Sequence, residues 1–159
     1  MHVAQPWSPG QIDHEFTGYN IRFNEINAAI GRVMLKHLDG FNENRRKIAA
    51  RYNERLKGIV QTPIIKEWAT PVYHMYVTRC ERRDDLQKFL KEKNIETGVH
   101  YPKPNHLQPA VIGLFPYIPK LPNTEKAVKE ILSLPIHGEM GLDAADKVCD
   151  AIAEFHGKK

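Results

Sequence analysis

Four groups of residues in this sequence have types and spacings that could do chemistry. The stretch GYNIRFNEINAAIG, residues 18–31, sets Asn20 and Arg22 just ahead of a helix that opens near Asn24. A helix N-terminus carries partial positive charge and unpaired N–H groups, so phosphate or another anion is favoured there. The same pair also reads as a chain turn at Asn20 and a surface ion pair at Arg22, and the residues alone leave both open. His100 and His106 flank a Pro-rich loop, HYPKPNH. As a metal pair they lack a third His, Cys or carboxylate at useful spacing, so two loop histidines are the simpler account and no metal is expected. Cys80 and Cys149 are the only cysteines, and neither sits in a nucleophile signature. Cys149, on an amphipathic stretch, reads as core. The run NENRRKIAARYNERLK contains Arg45, Arg46, Lys47, Arg51 and Arg55, but Glu43 and Glu54 interrupt it. That fits a solvated helix face better than a nucleic-acid surface. The sequence holds no Gly-rich phosphate loop and no G-x-S-x-G elbow.

Bulk properties exclude several classes. At 159 residues, 42% hydrophobic and 26% charged, the chain can bury a core of its own. A net charge of +4 is too small to argue for nucleic acid. Two distant cysteines suggest a reducing compartment, and the N-terminus lacks the basic and apolar regions of a signal peptide. No apolar run approaches the roughly 20 residues a membrane helix needs. The expectation is a cytoplasmic protein that does not engage a membrane.

The elements that must position these groups follow from periodicity. Residues 1–17, with Pro6, Pro9 and Gly10, read as an irregular lead-in. Apolar residues at helical spacing from Ile26 to Leu56 predict one long helix from Asn24 to Lys57. Asn24 caps it, Glu43 and Lys47 pair along it, Gly40 marks a bend, and Gly58 ends it. Its apolar surface exceeds what a small domain needs, so half of it should pack on a second body. Residues 72–80 predict a strand with His74, Tyr76 and Thr78 on one face. Asp84 and Gln87 predict a capping box for the next helix, and Asn94 a left-handed ending with Ile95 returning to Leu90. Residues 95–101 read as a strand and a helical turn starts at Asn105. Asn123 caps a helix reaching about Leu132, SLPIHGEMG is an extended link, and Asp143 caps the last helix. The sum is an α+β fold: a long N-terminal helix, then a small antiparallel or mixed sheet covered by helices. The chain divides into the lead-in of 1–17, the helix with its anion-site turn over 18–57, and a small α+β domain over 58–159.

The ordered motifs resemble one family. GYNIRFNEINAAIG with the RRKIAARY segment, then HMYVTRCERRDDLQKFLKEKNIETGVHYPKPNHLQPA, then LPNTEKAVKEILSLPIHGEMGLDAADKVCDAI are similar to the C-terminal part of the DegT/DnrJ/EryC1/StrS sugar aminotransferases. Each piece is weak alone; the ordered set spans residues 18–155. The resemblance implies the small domain of a fold type I enzyme that uses pyridoxal phosphate (PLP). It implies amino transfer from glutamate to a nucleotide-linked keto sugar, at a site on a dimer interface. Asn20 matches a residue that reaches the cofactor phosphate of the neighbouring subunit, with Arg22 beside it. His100, Tyr101 and His106 match the loop that approaches the sugar nucleotide. The Schiff-base lysine belongs to a large domain with no counterpart here, so none of Lys36, Lys47 or Lys103 is assigned to it, and no catalytic residue is.

The resemblance therefore implies a C-terminal segment, inactive alone, whose partner is a second copy or a chain carrying the large domain. The alternative is a non-catalytic binding or dimerisation module that kept the fold. In either case Ile26, Ile30 and Val33 should be hidden by assembly.

Overall fold

The computed structural model describes residues 24–157. The lead-in and the two expected phosphate-site residues, Asn20 and Arg22, lie outside the described residues.

Two helices replace the single long one: α1 (Glu25–Leu35) and α2 (Leu38–Arg55). Asn24 caps α1 as its type predicts, its side-chain oxygen accepting from the Asn27 N–H at 2.9 Å. The break falls at Lys36 and His37, where N–H groups bond carbonyls three residues back at 3.2 and 3.0 Å, and not at Gly40. Tight i→i−3 bonds of this kind are the usual ending of a helix. Glu43 pairs with Arg46 at 3.4 Å, and not with Lys47. Gly58 takes the left-handed conformation (φ 72°) that stops α2.

The chain then runs through residues 59–75 into β1 (Tyr76–Arg79), α3 (Arg83–Glu92), a 3₁₀ turn (Asn105–Leu107), α4 (Pro109–Ile112), α5 (Pro122–Glu130), β2 (Ile131–Leu134) and α6 (Leu142–Phe155). β1 and β2 pair antiparallel, with Tyr76 opposite Leu134 and Arg79 opposite Ile131. Isolated bridges extend the ladder on both sides, Gln61 to Arg79 and Gly98 to Ser133. The expected strand over 95–101 is thus a single bridge. The expected helix tail and link over 131–134 are a strand, because the ILSL segment finds a partner in β1 that no local pattern announces.

Three predicted caps are replaced. Arg82 precedes α3 without a side-chain cap, and Gln87 donates to the Thr97 carbonyl instead (3.4 Å). α5 starts at Pro122, one residue ahead of the expected Asn123 cap, and the Glu125 carboxylate takes the Leu121 N–H at 2.9 Å. Gly141, not Asp143, precedes α6. The ending of α3 is as predicted: Asn94 is left-handed (φ 60°) and the Ile95 N–H reaches the Leu90 carbonyl at 2.9 Å.

The core joins Ile48, Ala49 and Tyr52 of α2 and Leu56 just past its end to Tyr76, Leu86, Leu90 and Leu132, with Val148 and Ile152 of α6 closing it. Tyr52 and Tyr76 pack at a 49° tilt with centroids 4.9 Å apart, and each hydroxyl is satisfied: Tyr52 donates to the Pro135 carbonyl (2.7 Å), Tyr76 to Asn53 (2.5 Å). Burial pushes both phenols above their ordinary range, so both stay neutral donors. Outside the core, Arg55 clamps α2 to α6 through Asp146 (2.9 Å) and Asp150 (2.6 Å). Asn44 bonds the Gly138 and Met140 carbonyls at 3.0 and 2.9 Å, and a Cβ at Gly138 would come within 2.6 Å of the Phe41 ring. That close approach requires glycine. By contrast α1 buries no residue, and Ile26, Ile30 and Val33 are 72%, 56% and 58% exposed.

The core and α1 should therefore respond differently to truncation. Ile48→Ala removes a fully buried side chain and should lower unfolding stability by about 3 kcal/mol. Ile30→Ala should change it by no more than about 0.5 kcal/mol in dilute solution. Urea unfolding followed by circular dichroism checks both.

Candidate functional site

His100, the first of the expected ligand residues, is positioned by the sheet. Ser133 occupies the second-to-last position of β2, and its backbone N–H and carbonyl both bond Gly98, at 2.7 and 3.1 Å. Its side-chain hydroxyl is left to meet His100 Nδ1 at 2.9 Å. The His100 ring lies over Gly98 so closely that a Cβ there would come within 2.5 Å of it. Gly98 is thus required by the imidazole above it, and the imidazole is oriented by Ser133.

Around this ring opens a cleft of about 310 Å³, lined by His74, Met75, Glu96, Thr97, Gly98 and His100 on one side and Ser133 to Ile136 on the other. Its size falls at the lower end of small-molecule sites. Tyr101 is adjacent, 60% exposed, with its ring edge-on to His100 at 5.5 Å. His106 does not line this cleft. Its side chain is 10% exposed and its Nε2 lies 3.3 Å from the Glu125 carboxylate. That carboxylate, bonded by the Leu121 N–H and then by His106, is held below the usual glutamate range. The pair ties the Pro-rich loop to the start of α5. The structure thus brings His100 and Tyr101 together and leaves His106 outside the cleft lining, against Glu125.

Sequence reasoning missed His74, Glu96, Thr97 and Ser133. Ser133 is hidden in the sequence because nothing local marks β2. The alternation of residues 72–80 puts His74 on the same strand face as Tyr76 and Thr78. Those two are buried, whereas His74 is exposed, because Tyr73 is left-handed (φ 48°) and the strand starts only at Tyr76.

The other candidates are structural. Burial raises the Cys149 thiol to about 11 and pushes Cys80 up as well, which disfavours the nucleophilic thiolate in both. Among the described residues no group of three or more His, Cys, Asp or Glu could hold a metal ion. No described helix is long and apolar enough to cross a membrane. The basic run on α2 is largely engaged with carboxylates: Arg46 with Glu43, Arg51 with Glu54 and Asp146, and Arg55 with Asp146 and Asp150.

The described residues do not by themselves fit PLP. No described lysine lines the His100 cleft, and every described lysine but Lys103 is exposed. A Schiff-base lysine needs an enclosed, partly desolvated setting that lowers its pKa.

Comparison with known proteins places these features. A family model described as the DegT/DnrJ/EryC1/StrS aminotransferase family matches residues 4–153. The chain is 44% identical to a "Pleiotropic regulatory protein" of Geobacillus stearothermophilus, over 98% of this chain and 42% of that one. It is 39% identical to the dTDP-3-amino-3,4,6-trideoxy-alpha-D-glucose transaminase of Streptomyces venezuelae, over 91% of this chain and 39% of the relative. Among solved structures, S. venezuelae DesV in complex with a ketimine intermediate superposes with a TM-score of 0.80 at 37% identity, covering 96% of this chain and 42% of DesV. A DegT/DnrJ/EryC1/StrS aminotransferase from Brucella abortus does so with a TM-score of 0.80 at 35% identity, covering 95% and 40%. The chain spans about two fifths of the length of the curated relatives it matches.

The Glu125 tie sets a pH dependence. Its carboxyl is depressed in the folded state, so its contribution is present above the unfolded value of about 4.3 and is lost as pH falls through the folded value. The Leu121 amide resonance should titrate with a midpoint below that of an ordinary glutamate. In Glu125→Gln this acid-limb titration should vanish, read by two-dimensional amide NMR.

Proposed function

The chain belongs to the DegT/DnrJ/EryC1/StrS aminotransferase family, whose members use PLP, and from that premise we propose that it supplies the small-domain side of a nucleotide-sugar aminotransferase site. The substrate class carried over from its relatives is a nucleotide-linked keto sugar, with glutamate as amino donor. PLP, when bound, supplies the electron sink that amino transfer requires. The observation that carries this reading is the fixed imidazole: Ser133 holds His100 by Nδ1, which leaves Nε2 for a ligand in the cleft.

In this reading His100 and Tyr101 contact the sugar nucleotide. His106 stays close to the substrate loop by holding it against α5 through Glu125. Asn20 and Arg22 meet the cofactor phosphate across a subunit interface, ahead of the helix whose N-cap is Asn24. The lysine comes from elsewhere in the family's fold, and the exposed face of α1 is the surface on which that second body, or a second copy, packs.

The 159-residue chain alone should then not fix the cofactor covalently. After incubation with PLP and borohydride reduction, mass spectrometry of tryptic peptides should show only scattered, substoichiometric lysine labelling. A stoichiometric pyridoxyl adduct on one lysine would overturn the reading.

A further inference from the structure

The His100 cleft contains two side chains to which neither the family motifs nor the reading above gives a role, His74 and Glu96. His74 is exposed, yet the chain is bent to present it. Tyr73, immediately before it, adopts φ 48°. For a bulky side chain this left-handed conformation is an outlier that surrounding structure must hold in place, and such residues cluster at ligand sites. Here the holding contact is the Tyr73 ring, half-buried and 6.0 Å from that of Tyr76. The turn takes His74 and Met75 out of the β1 ladder and into the cleft wall.

Charge decides what the wall can recognise. Among the described residues Glu96 is the only acidic or basic side chain other than histidine that lines the cleft, no lysine or arginine lines it, and its other polar side chains are His74, Thr97, His100 and Ser133. Phosphate recognition needs cations or a fan of backbone N–H groups. A lone carboxylate repels phosphate but accepts strongly from hydroxyl groups, while an imidazole can donate to or accept from them.

We propose that His74 and Glu96 are ligand-contacting residues of this cleft that recognise the hydroxyl groups of a neutral sugar ring, and that the diphosphate of the ligand lies outside it. This rests on the nucleotide-sugar reading above and adds to it which end of the ligand enters the cleft and which residues select it.

The test uses the whole 159-residue chain, with dTDP-glucose and dTDP as probes and histidine ring-proton NMR as the readout. Addition of dTDP-glucose should shift the His74 and His100 ring signals, and dTDP should not. Glu96→Gln and His74→Ala should each weaken the dTDP-glucose response about tenfold and leave any dTDP response unchanged. Both side chains are exposed, so the core is not at risk, and unchanged amide signals of Leu132 and Ile152 confirm that. Equal His74 shifts from dTDP alone would overturn the proposal, as would variants that bind dTDP-glucose normally. Shifts from dTDP-glucose confined to residues outside the cleft would overturn it while leaving the nucleotide-sugar reading standing. No response to either nucleotide would overturn the proposal that this chain's cleft recognises the sugar, and would leave the composite-site reading to its own test with PLP and borohydride.

Discussion

The site depends on one residue of the sheet. Ser133 uses its backbone to bind Gly98 and its hydroxyl to hold His100. The antiparallel pairing of β1 with β2 fixes where Ser133 stands, opposite Val77. The bridge to Gly98 brings the 95–101 segment alongside, and the absence of a Cβ at Gly98 lets the Cε1 edge of the imidazole approach it closely. Fold and site therefore share a set of hydrogen bonds: losing the ladder would release the histidine, and a side chain at Gly98 would displace it. The core behind β2 stabilises this arrangement, since Leu132 and Leu134 on either side of Ser133 are buried.

A second constraint is the length of the helical arm. In α2 and at its C-cap, the positions that face the core, Ile48, Ala49, Tyr52 and Leu56, are fully buried. Towards its N-terminus the same helix leaves the core: Leu38 is 42% exposed, and α1 beyond it buries nothing. At the edge of the core stands Arg45, whose Nε is buried without a hydrogen-bond partner among the described residues. An isolated helix of eleven residues is marginal in water, because nucleation is costly and packing usually supplies the stability. The proposed function makes this exposed arm the surface on which a second body packs. This agrees with a chain that spans two fifths of its relatives' length.

What the sequence disclosed depended on how local the physics was. Asn24 as a cap, Gly58 and Asn94 as left-handed stops and Cys149 as a core residue were legible, because each needs only a few neighbours in the chain. The caps at Asn123 and Asp143 were misplaced for a related reason: several residues near a helix start can serve, and Glu125 reaching back to Leu121 won at α5. β2 was illegible because ILSL has no turn residues to mark it and pairs with a segment more than fifty residues away. With β2 went Ser133, and with Ser133 the reason for His100's orientation. His74 was lost to Tyr73, whose backbone conformation breaks the strand alternation that the residue types suggest. The resemblance supplied the loop that carries His100, but not the cleft around it.

The central claim, that this chain forms one side of a composite site and offers α1 as the joining surface, is tested most directly by hydrogen exchange across residues 25–35 as a function of protein concentration. Sedimentation of the same samples gives the assembly state. The account predicts rapid exchange of the α1 amides in the dilute monomer and protection that grows as assembly covers Ile26, Ile30 and Val33. Strong protection of α1 in a chain that stays monomeric at every concentration would contradict it, because the arm would then be stable with nothing packed against it.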